Sequence, residues 1–176
     1  GNTLSNSVNL TSLTANTTYP YCVRSACTGP TESGWVSGTF TTSCSTTAPP
    51  YTQAFESVTT PAIPACTSIQ NAGTGNNWTT NSPSNYGFTS KALRYSYNSS
   101  NAANAWFFTQ GLTLTTGTTY KLTYKYGSAG FDESLKVNIG TSPSAAAMIT
   151  NLADHPLVTT SPLTNTVYFT VPSNDT

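Results

Sequence analysis

Charge is scarce in this sequence, which has six Lys or Arg and six Asp or Glu among 176 residues. Charged residues make up 7% of the chain, far below the usual share of about a quarter, and the two signs balance. Nucleic acids and anionic membranes are recognised by basic patches. The composition therefore predicts no nucleic-acid partner.

Long apolar runs are also missing. The longest, such as "AWFF" at Ala105–Phe108, are far shorter than the roughly 20 residues that span a bilayer, so we expect no membrane insertion. The first residues, "GNTLSNSV", lack the basic and apolar regions of a signal peptide and already resemble a strand. We therefore expect the sequence to be a window from a longer secreted chain.

Threonine is abundant, with 35 residues. It is β-branched and favours strands, and short stretches of alternating apolar and polar residues recur between Gly, Asn, Ser and Pro turns. Hydrophobic residues make up 36% of the chain, enough for a packed core. The sequence predicts an all-β fold, with a helical turn only at "SAAAMITNL".

The four cysteines, Cys22, Cys27, Cys44 and Cys66, lie in the first third of the chain. The single histidine cannot complete a Cys/His zinc cluster with them. Their gaps of five, seventeen and twenty-two residues lack the paired short spacings of a four-cysteine zinc site. Disulfides in an oxidising compartment are the better interpretation.

Hairpin geometry argues against a disulfide between Cys27 and Cys44, whereas Cys66, further along the chain, can approach Cys44. If the first strands turn at Thr28–Ser33, Cys44 lies opposite about Thr17. That position is ten residues along the strand from Cys27, or roughly 33 Å, whereas the Cα atoms of a disulfide lie within about 7 Å. We therefore predict a disulfide between Cys44 and Cys66, and the pairing of the other two cysteines stays open.

The segment Thr3–Thr42 predicts two or three antiparallel strands. Within it, "LTSLTANTTYPYCVRSAC" resembles the end of a fibronectin type III domain. That resemblance implies a tyrosine corner, in which Leu13 and Thr17 shape a turn and the Tyr19 hydroxyl bonds to nearby backbone. Residues 1–47 are accordingly interpreted as the C-terminal strands of a partial fibronectin type III-like sandwich.

Two adjacent prolines in "SCSTTAPPYTQAFES" mark a boundary near Ala48, because proline cannot join a central ladder. Residues 48–176 predict the many short strands of a sandwich or jelly roll. In "ESLKVNI", alternation places Leu135, Val137 and Ile139 on one face and Lys136 and Asn138 on the other. The expected strands are Tyr51–Phe55, Lys91–Tyr97, Ala105–Phe108, Leu112–Leu114, Thr119–Tyr126, Ser134–Ile139 and Thr166–Val171.

The motifs "AFES", "NNWTTNSPSNYGFTSKALRYSYN", "NAWFFTQGLTLTTGTTYKLTYKY" and "ESLKVNIGTSPSAAAMITNLADHPLV" together resemble the cleaved-adhesin or choice-of-anchor J family over residues 51–171. The resemblance implies a MAM-like antiparallel jelly-roll β-sandwich, expected to be incomplete at its C-terminus. Such domains occur in surface proteins that Bacteroidota export through the type IX system.

The same resemblance implies calcium as a cofactor. In the family, the acidic residue after the Phe of the first strand, here Glu56, contributes to a calcium site. Calcium takes six to eight oxygen ligands, and Asn side chains and carbonyls in "GTGNNW" are candidates for some of them. A solvated glutamate at a strand end is the alternative.

The three tryptophans are candidate sugar-stacking platforms, because an aromatic face and nearby Asn amides suit a pyranose. Trp106 lies beside two phenylalanines and is expected in the core, and Trp35 resembles the last-strand aromatic of the fibronectin module. Trp78, in a polar loop between Asn77 and Thr79, is the one candidate ligand-binding residue. Packing remains its alternative role.

No pair of residues predicts catalysis. His155 stands between Asp154 and Pro156 and is expected in a turn, since a side chain adjacent in sequence seldom orients a catalytic imidazole. Asp132 and Glu133 would point to opposite faces of a strand and so do not form the facing pair of a glycosidase.

The sequence therefore favours a non-catalytic adhesion or glycan-binding module of a large secreted or cell-surface protein. Its expected partners are an extracellular glycan or protein surface and neighbouring domains of the same long chain. Two alternatives stay open: a structural spacer or filament subunit without a ligand, and an accessory domain of a secreted peptidase or glycosidase.

Overall fold

The computed structural model describes residues 7–25, 32–82, 87–128, 133–158 and 162–171. The chain divides into two compact units, Gly1–Ser45 and Thr46–Thr176, whereas the sequence places the boundary near Ala48. In the described part, the regular elements are strands apart from one turn of 3-10 helix at Ala145–Ala147. The five strand pairs found there are antiparallel. The all-β prediction is confirmed.

The first unit contains one hairpin, in which β1 (Thr18–Val23) pairs with β2 (Val36–Thr41). Successive side chains of a strand point to opposite faces, so this hairpin has an apolar face and a hydroxyl face. On the apolar face, the rings of Tyr19 and Phe40 stack with their centroids 5.9 Å apart. On the other face, the hydroxyls of Thr18 and Thr41 hydrogen-bond at 2.8 Å.

The register of this hairpin differs from the predicted one by two residues. The Thr17 carbonyl accepts a hydrogen bond from the Thr42 N–H at 3.0 Å, and the Asn16 N–H donates to the Ser43 carbonyl at 3.1 Å. Thr17 therefore lies opposite Thr42, and the expectation that it faces Cys44 is wrong. A two-residue shift leaves every side chain on its face, so the alternation is unaffected.

The second unit contains eight strands within the described residues. They pair as β3 with β6, β4 with β5, β7 with β10 and β8 with β9. Their bounds are β3 (Ser68–Asn71), β4 (Trp78–Asn81), β5 (Ala92–Tyr95), β6 (Ala105–Phe108), β7 (Thr119–Tyr126), β8 (Glu133–Ile139), β9 (Thr150–Val158) and β10 (Leu163–Thr170). The jelly-roll type of this unit stays a prediction.

Five predicted strands correspond to β5, β6, β7, β8 and β10, and β6 and β7 have the expected bounds. Their sequences alternate cleanly or are strongly apolar. In β8, Leu135, Val137 and Ile139 are half-buried and Lys136 is exposed, as predicted. Asn138, expected on the face of Lys136, is also half-buried, and its amide donates to the Met148 carbonyl at 2.7 Å. Local pattern alone was sufficient for these elements.

Two predicted strands are not found, although the structure describes their residues. Tyr51–Phe55 is not a strand, because the Gln53 side chain accepts the Phe55 N–H at 3.0 Å and Phe55 has a positive φ of 61°. Such a local side-chain bond competes with a ladder. Of Leu112–Leu114, only Leu112 forms a bridge, which is parallel and joins it to Thr47.

Three strands were not predicted: β3, β4 and β9. β9 contains Pro156, which argues against a strand because proline has no N–H for the ladder. The register between β8 and β9 shifts between Glu133 and Leu135, whose partners are Val158 and His155. Pro156 lies in this irregularity, where no ladder hydrogen bond from it is needed.

Few side chains of the described residues are fully buried. Phe108, Val158 and Val171 are the buried hydrophobic ones, at 4%, 3% and 8% exposure. Thr80 is 2% exposed and stays satisfied because its hydroxyl donates to the Ala62 carbonyl at 2.6 Å. Most packing therefore occurs between half-buried aromatic and aliphatic residues on one face of each strand pair.

A tyrosine corner occurs once in each unit. The Thr14 N–H donates to the Tyr19 hydroxyl at 2.9 Å, which confirms the expected bond to nearby backbone. In the second unit, the Thr115 N–H donates to the Tyr120 hydroxyl at 2.7 Å. The sequences "LTANTTY" and "LTTGTTY" both span the corner, a repeat that the sequence analysis missed.

The two corners share their backbone geometry. The turn residues Asn16 and Gly117 both have positive φ, 48° and 75°, a conformation in which Asn and Gly are the favoured residues. Hydrogen bonds from Thr14 lower the pKa of Tyr19, and the backbone hydrogen bond from Thr115 lowers the pKa of Tyr120.

Candidate functional site

A shallow groove of about 330 Å³ opens on the second unit. It is formed by the end of β5, by the loop that follows, and by the first residue of β8. Its lining combines aromatic rings, amides, hydroxyls and one carboxylate. The lining residues are Tyr95, Tyr97, Asn98, Ser99, Ser100, Asn101, Ala102, Ala103 and Glu133.

Two tyrosines of this groove have different roles. The Tyr95 ring packs edge-on against Trp78, with centroids 5.8 Å apart, and its hydroxyl accepts the Asn76 N–H at 3.0 Å. Tyr97, just beyond the end of β5, is 75% exposed. Tyr95 therefore anchors the groove, and Tyr97 presents an aromatic ring to solvent.

The loop beyond Tyr97 is held by a local amide turn. The Asn98 side-chain carbonyl accepts the N–H groups of Ser100 and Asn101, both at 3.0 Å. Asn residues stabilise loops in this way by bonding backbone two or three residues further on. The Asn101 side-chain carbonyl accepts the Thr74 hydroxyl at 2.8 Å, which ties the loop to the neighbouring one.

The neighbouring loop, residues 72–77, supports the groove from behind. The Asn76 side-chain amide donates to the carbonyls of Ser96 at 2.9 Å and Tyr97 at 3.3 Å. Asn71 closes the same loop, because its amide donates to the Gly75 carbonyl at 2.6 Å. The backbone that carries the Tyr97 ring is therefore fixed by side chains of a second loop.

Of the described residues that line the groove, Glu133 is the one that is charged. It is exposed and begins β8. Among the residues that the structure describes, its carboxylate has no hydrogen bond or ion pair. An ionised carboxylate is a strong acceptor with room for several donors, so Glu133 gives the groove a free acceptor.

The groove thus combines an open aromatic ring, amide groups and a carboxylate. Sugar hydroxyls both donate and accept hydrogen bonds, and the C–H face of a pyranose packs on an aromatic ring. Concave sites with an apolar surface and a few placed polar groups are typical of small-ligand binding. The groove is shallow and open, as suits an oligosaccharide end or side rather than an enclosed ligand.

The structure places Trp78 beside this groove but not in its lining. Trp78 is the first residue of β4, so the expectation of a polar loop is wrong. Its indole N–H donates to the Ala105 carbonyl at 2.8 Å, and its ring packs on Tyr95. It is half-buried, an environment in which it supports Tyr95. The ligand-binding role of Trp78 remains a prediction.

The other two tryptophans also have internal partners. Trp106 is half-buried and stacks on Phe108 at a centroid distance of 6.3 Å. Trp35 is 62% exposed, and the Arg24 guanidinium lies 4.6 Å from its ring centroid. Arg24 is also ion-paired with Glu32. One face of the Trp35 ring is therefore already covered by the Arg24 guanidinium.

Glu56 has a cation beside it. One carboxylate oxygen accepts the Lys91 N–H at 2.7 Å. The Lys91 ammonium donates to the carbonyls of Glu56 at 3.1 Å and Val58 at 2.8 Å. The oxygens near Glu56 are thus arranged around an ammonium group, and the described residues contain no cluster of three His, Cys, Asp or Glu. This arrangement does not fit calcium unless the ion displaces Lys91.

His155 lies on β9, so the prediction that it stands in a turn is wrong. Its Nε2 atom is 2.6 Å from the Tyr124 hydroxyl, and its ring stacks on Tyr126 at 4.0 Å. The Asn165 amide donates to the same Tyr124 hydroxyl at 2.9 Å. Burial raises the pKa of Tyr124. The polar groups of Tyr124, His155 and Asn165 therefore hydrogen-bond to one another where strands β7, β9 and β10 approach.

Cys44 and Cys66 form a disulfide, as predicted. Cys22 is an exposed free thiol. Cys27 and Asp132 fall outside the described residues.

Where the structure describes the chain, no helix has the length and apolar character needed to cross a membrane.

Sequence reasoning did not assign the groove residues. The sequence pattern places Tyr97 at the end of the predicted strand Lys91–Tyr97, and Glu133 stands out only as the neighbour of Asp132, with which it does not form a catalytic pair. The available signal was the stretch "YSYNSSNAANAW", in which a tyrosine stands next to an Asn- and Ser-rich turn. That stretch predicts the loop of the groove. It does not predict Glu133, which lies 36 residues beyond Tyr97 in the chain.

The chain matches no protein-family model, no curated protein and no solved structure. The resemblances to the end of a fibronectin type III domain and to the cleaved-adhesin or choice-of-anchor J family therefore stay predictions.

Proposed function

We propose that this chain is a non-catalytic carbohydrate-recognition module that serves adhesion in a secreted or cell-surface protein. The observation that carries the proposal is the 75% exposed ring of Tyr97 in a groove that also contains Asn98, Asn101 and Glu133. The resemblance to an adhesin family agrees with this function. Neighbouring domains of a longer chain are the proposed partners in the same polypeptide.

An extracellular location is supported by the Cys44–Cys66 disulfide. Disulfides persist in oxidising compartments and are rare in the cytosol. The scarcity of charge also removes the electrostatic attraction that steers proteins to nucleic acids. A neutral, hydroxyl-rich surface is compatible with recognition of uncharged glycans.

The proposed binding is weak for a single copy. One stacked ring and a few solvent-exposed hydrogen bonds correspond to a dissociation constant of about 1 mM, which is about 4 kcal/mol of binding free energy. Several linked copies raise the apparent affinity by a factor of 10² or more. The module therefore needs a multivalent assay.

The test is a glycan array probed with the full chain, biotinylated and bound to streptavidin as a tetramer. Tyr97→Ala should reduce the signal at least tenfold for the glycans that wild type binds. Tyr168→Ala is the matched control, because Tyr168 is a 65% exposed tyrosine on β10 that does not line the groove. It should keep the signal.

Two results would contradict the proposal. If wild-type tetramers bind no glycan, the spacer or filament alternative is favoured. If Tyr97→Ala and Tyr168→Ala both bind like wild type, any glycan site lies elsewhere. Binding that survives Tyr97→Ala but is lost in a Trp78→Ala variant that still folds would assign the role to Trp78.

A further inference from the structure

We infer that the Tyr97 groove selects glycans by charge: it takes neutral or amino sugars and rejects sugars that carry carboxylates. The inference rests on the proposed function and names the ligand class of the same site. It follows from the one charged side chain among the described residues of the groove lining and from the way the neighbouring amides are already bonded.

Glu133 supplies that charge. Among the lining residues that the structure describes, it is the one ionisable acid or base apart from the two tyrosine hydroxyls. The nearest ion pair on β8 involves Lys136 and Asp154, at 3.6 Å, and both lie on the hairpin beyond the groove. No described cation pairs with Glu133, so its negative charge is not neutralised locally.

The amides of the groove offer donors rather than acceptors. The Asn98 side-chain carbonyl already accepts two backbone N–H groups and also lies 3.4 Å from the Asn101 amide nitrogen. The Asn101 carbonyl accepts the Thr74 hydroxyl. The Asn101 amide donates to the Asn98 carbonyl, and the Asn98 amide donates to the Asn76 side-chain carbonyl, both at 3.4 Å. Each –NH₂ has two hydrogens, of which these contacts use one. The groove thus presents N–H donors beside the carboxylate of Glu133.

This set of groups fits a sugar that donates to Glu133 and accepts from Asn98 or Asn101. Neutral hydroxyls do both, and a protonated amino group adds a charge-assisted bond to Glu133. A uronic or sialic acid places a second negative charge near Glu133 instead. At about 4 Å and the dielectric constant of water, two like charges repel by about 1 kcal/mol. That repulsion corresponds to about fivefold in the dissociation constant.

The experiment measures binding of the full chain, as the streptavidin tetramer, to three immobilised oligosaccharides of equal length. These are a neutral tetramer of N-acetylglucosamine, the cationic tetramer of glucosamine, and an anionic tetramer of alternating glucuronic acid and N-acetylglucosamine. Wild type should bind the anionic tetramer at least fivefold more weakly than the neutral one. The cationic tetramer should bind at least as tightly as the neutral one.

Glu133→Gln should remove this order and bring the three affinities within about twofold of one another. Asp154→Asn is the matched control, because it removes the same charge from the neighbouring strand β9, outside the groove. It should preserve the order. Raising the salt concentration to 1 M should reduce the wild-type preference, since exposed charges are then screened within about 3 Å.

The outcomes separate the two proposals. Binding that depends on Tyr97 but shows equal affinity for the three oligosaccharides overturns the charge inference alone. The same holds if Asp154→Asn changes the order as much as Glu133→Gln. If none of the three oligosaccharides shows Tyr97-dependent binding, the charge inference fails, and the proposed function is judged by the wider glycan array.

Discussion

Gly75 lies at a close contact between the loop 72–77 and the groove residues Tyr95 and Ala102. A methyl group at this position would overlap the Tyr95 hydroxyl and would lie 2.8 Å from the Ala102 carbonyl oxygen. Real Cβ atoms do not approach so closely, and one of the two contacts is backbone. We therefore expect Gly75→Ala to separate the loops.

The cost has two parts. Displacing the Tyr95 hydroxyl removes the hydrogen bond that it accepts from the Asn76 N–H, worth about 1 kcal/mol. Forcing a methyl group into a packed contact costs about 1–3 kcal/mol. The lower entropy of the unfolded alanine chain offsets about 0.4–1 kcal/mol. We expect a net loss of about 2 kcal/mol in the free energy of unfolding.

For a chain of this size, about 2 kcal/mol lowers the melting temperature by about 4–8 °C. The assay is thermal unfolding followed by circular dichroism. Gly73→Ala is the control from the same loop, since its methyl group would meet only the Asn104 Cβ atom at 3.0 Å, with its other neighbours at 3.7 Å. It should lower the melting temperature by less than half as much.

Glycan binding provides a second readout of the same change. Asn76 follows Gly75 and holds the backbone of Tyr97, so Gly75→Ala should also weaken Tyr97-dependent binding. The reasoning is refuted if Gly75→Ala melts within 1–2 °C of wild type. It is equally refuted if Gly73→Ala destabilises the chain as much.

Three further predictions concern groups outside the groove. Burial raises the pKa of Tyr124, so the folded state favours the neutral tyrosine. The resulting contribution to the free energy of unfolding is present below pH about 10 and is lost as the pH rises through the folded-state pKa. Wild type should therefore lose stability relative to Tyr124→Phe in alkaline denaturation, and parallel curves would contradict the prediction. Calcium should raise the melting temperature more in Lys91→Met than in wild type, since the Lys91 ammonium is hydrogen-bonded to the Glu56 carbonyl. Glu56→Gln should abolish this gain. Identical melting with calcium and with chelator in all three proteins would contradict a calcium site. Tyr19→Phe and Tyr120→Phe should each lower the midpoint of denaturant unfolding, because each removes the hydroxyl that accepts a backbone N–H. A lower midpoint for only one of them would show that the two corners are not equivalent.

Several features of this protein follow from short stretches of sequence. The face of β8 formed by Leu135, Val137 and Ile139 is set by alternation, which backbone geometry imposes on any strand. The bond from the Thr14 N–H to Tyr19 is local, since five residues separate the two. The prediction of the Cys44–Cys66 disulfide depends on the long distance between Cys27 and Cys44 along the hairpin, and a two-residue change of register leaves that distance far above the limit for a disulfide.

Other features were decided only by the tertiary structure. Trp78 and His155 lie on strands because pairing with β5 and β8 supplies their ladder hydrogen bonds, although their own sequences are polar or contain proline. The groove depends on residues of two loops and on Glu133, which begins a strand 36 residues after Tyr97. Alternation and turn chemistry are properties of neighbouring residues, whereas the meeting of Tyr97 and Glu133 depends on which distant strands pair, and that choice is made by the packing of the whole unit.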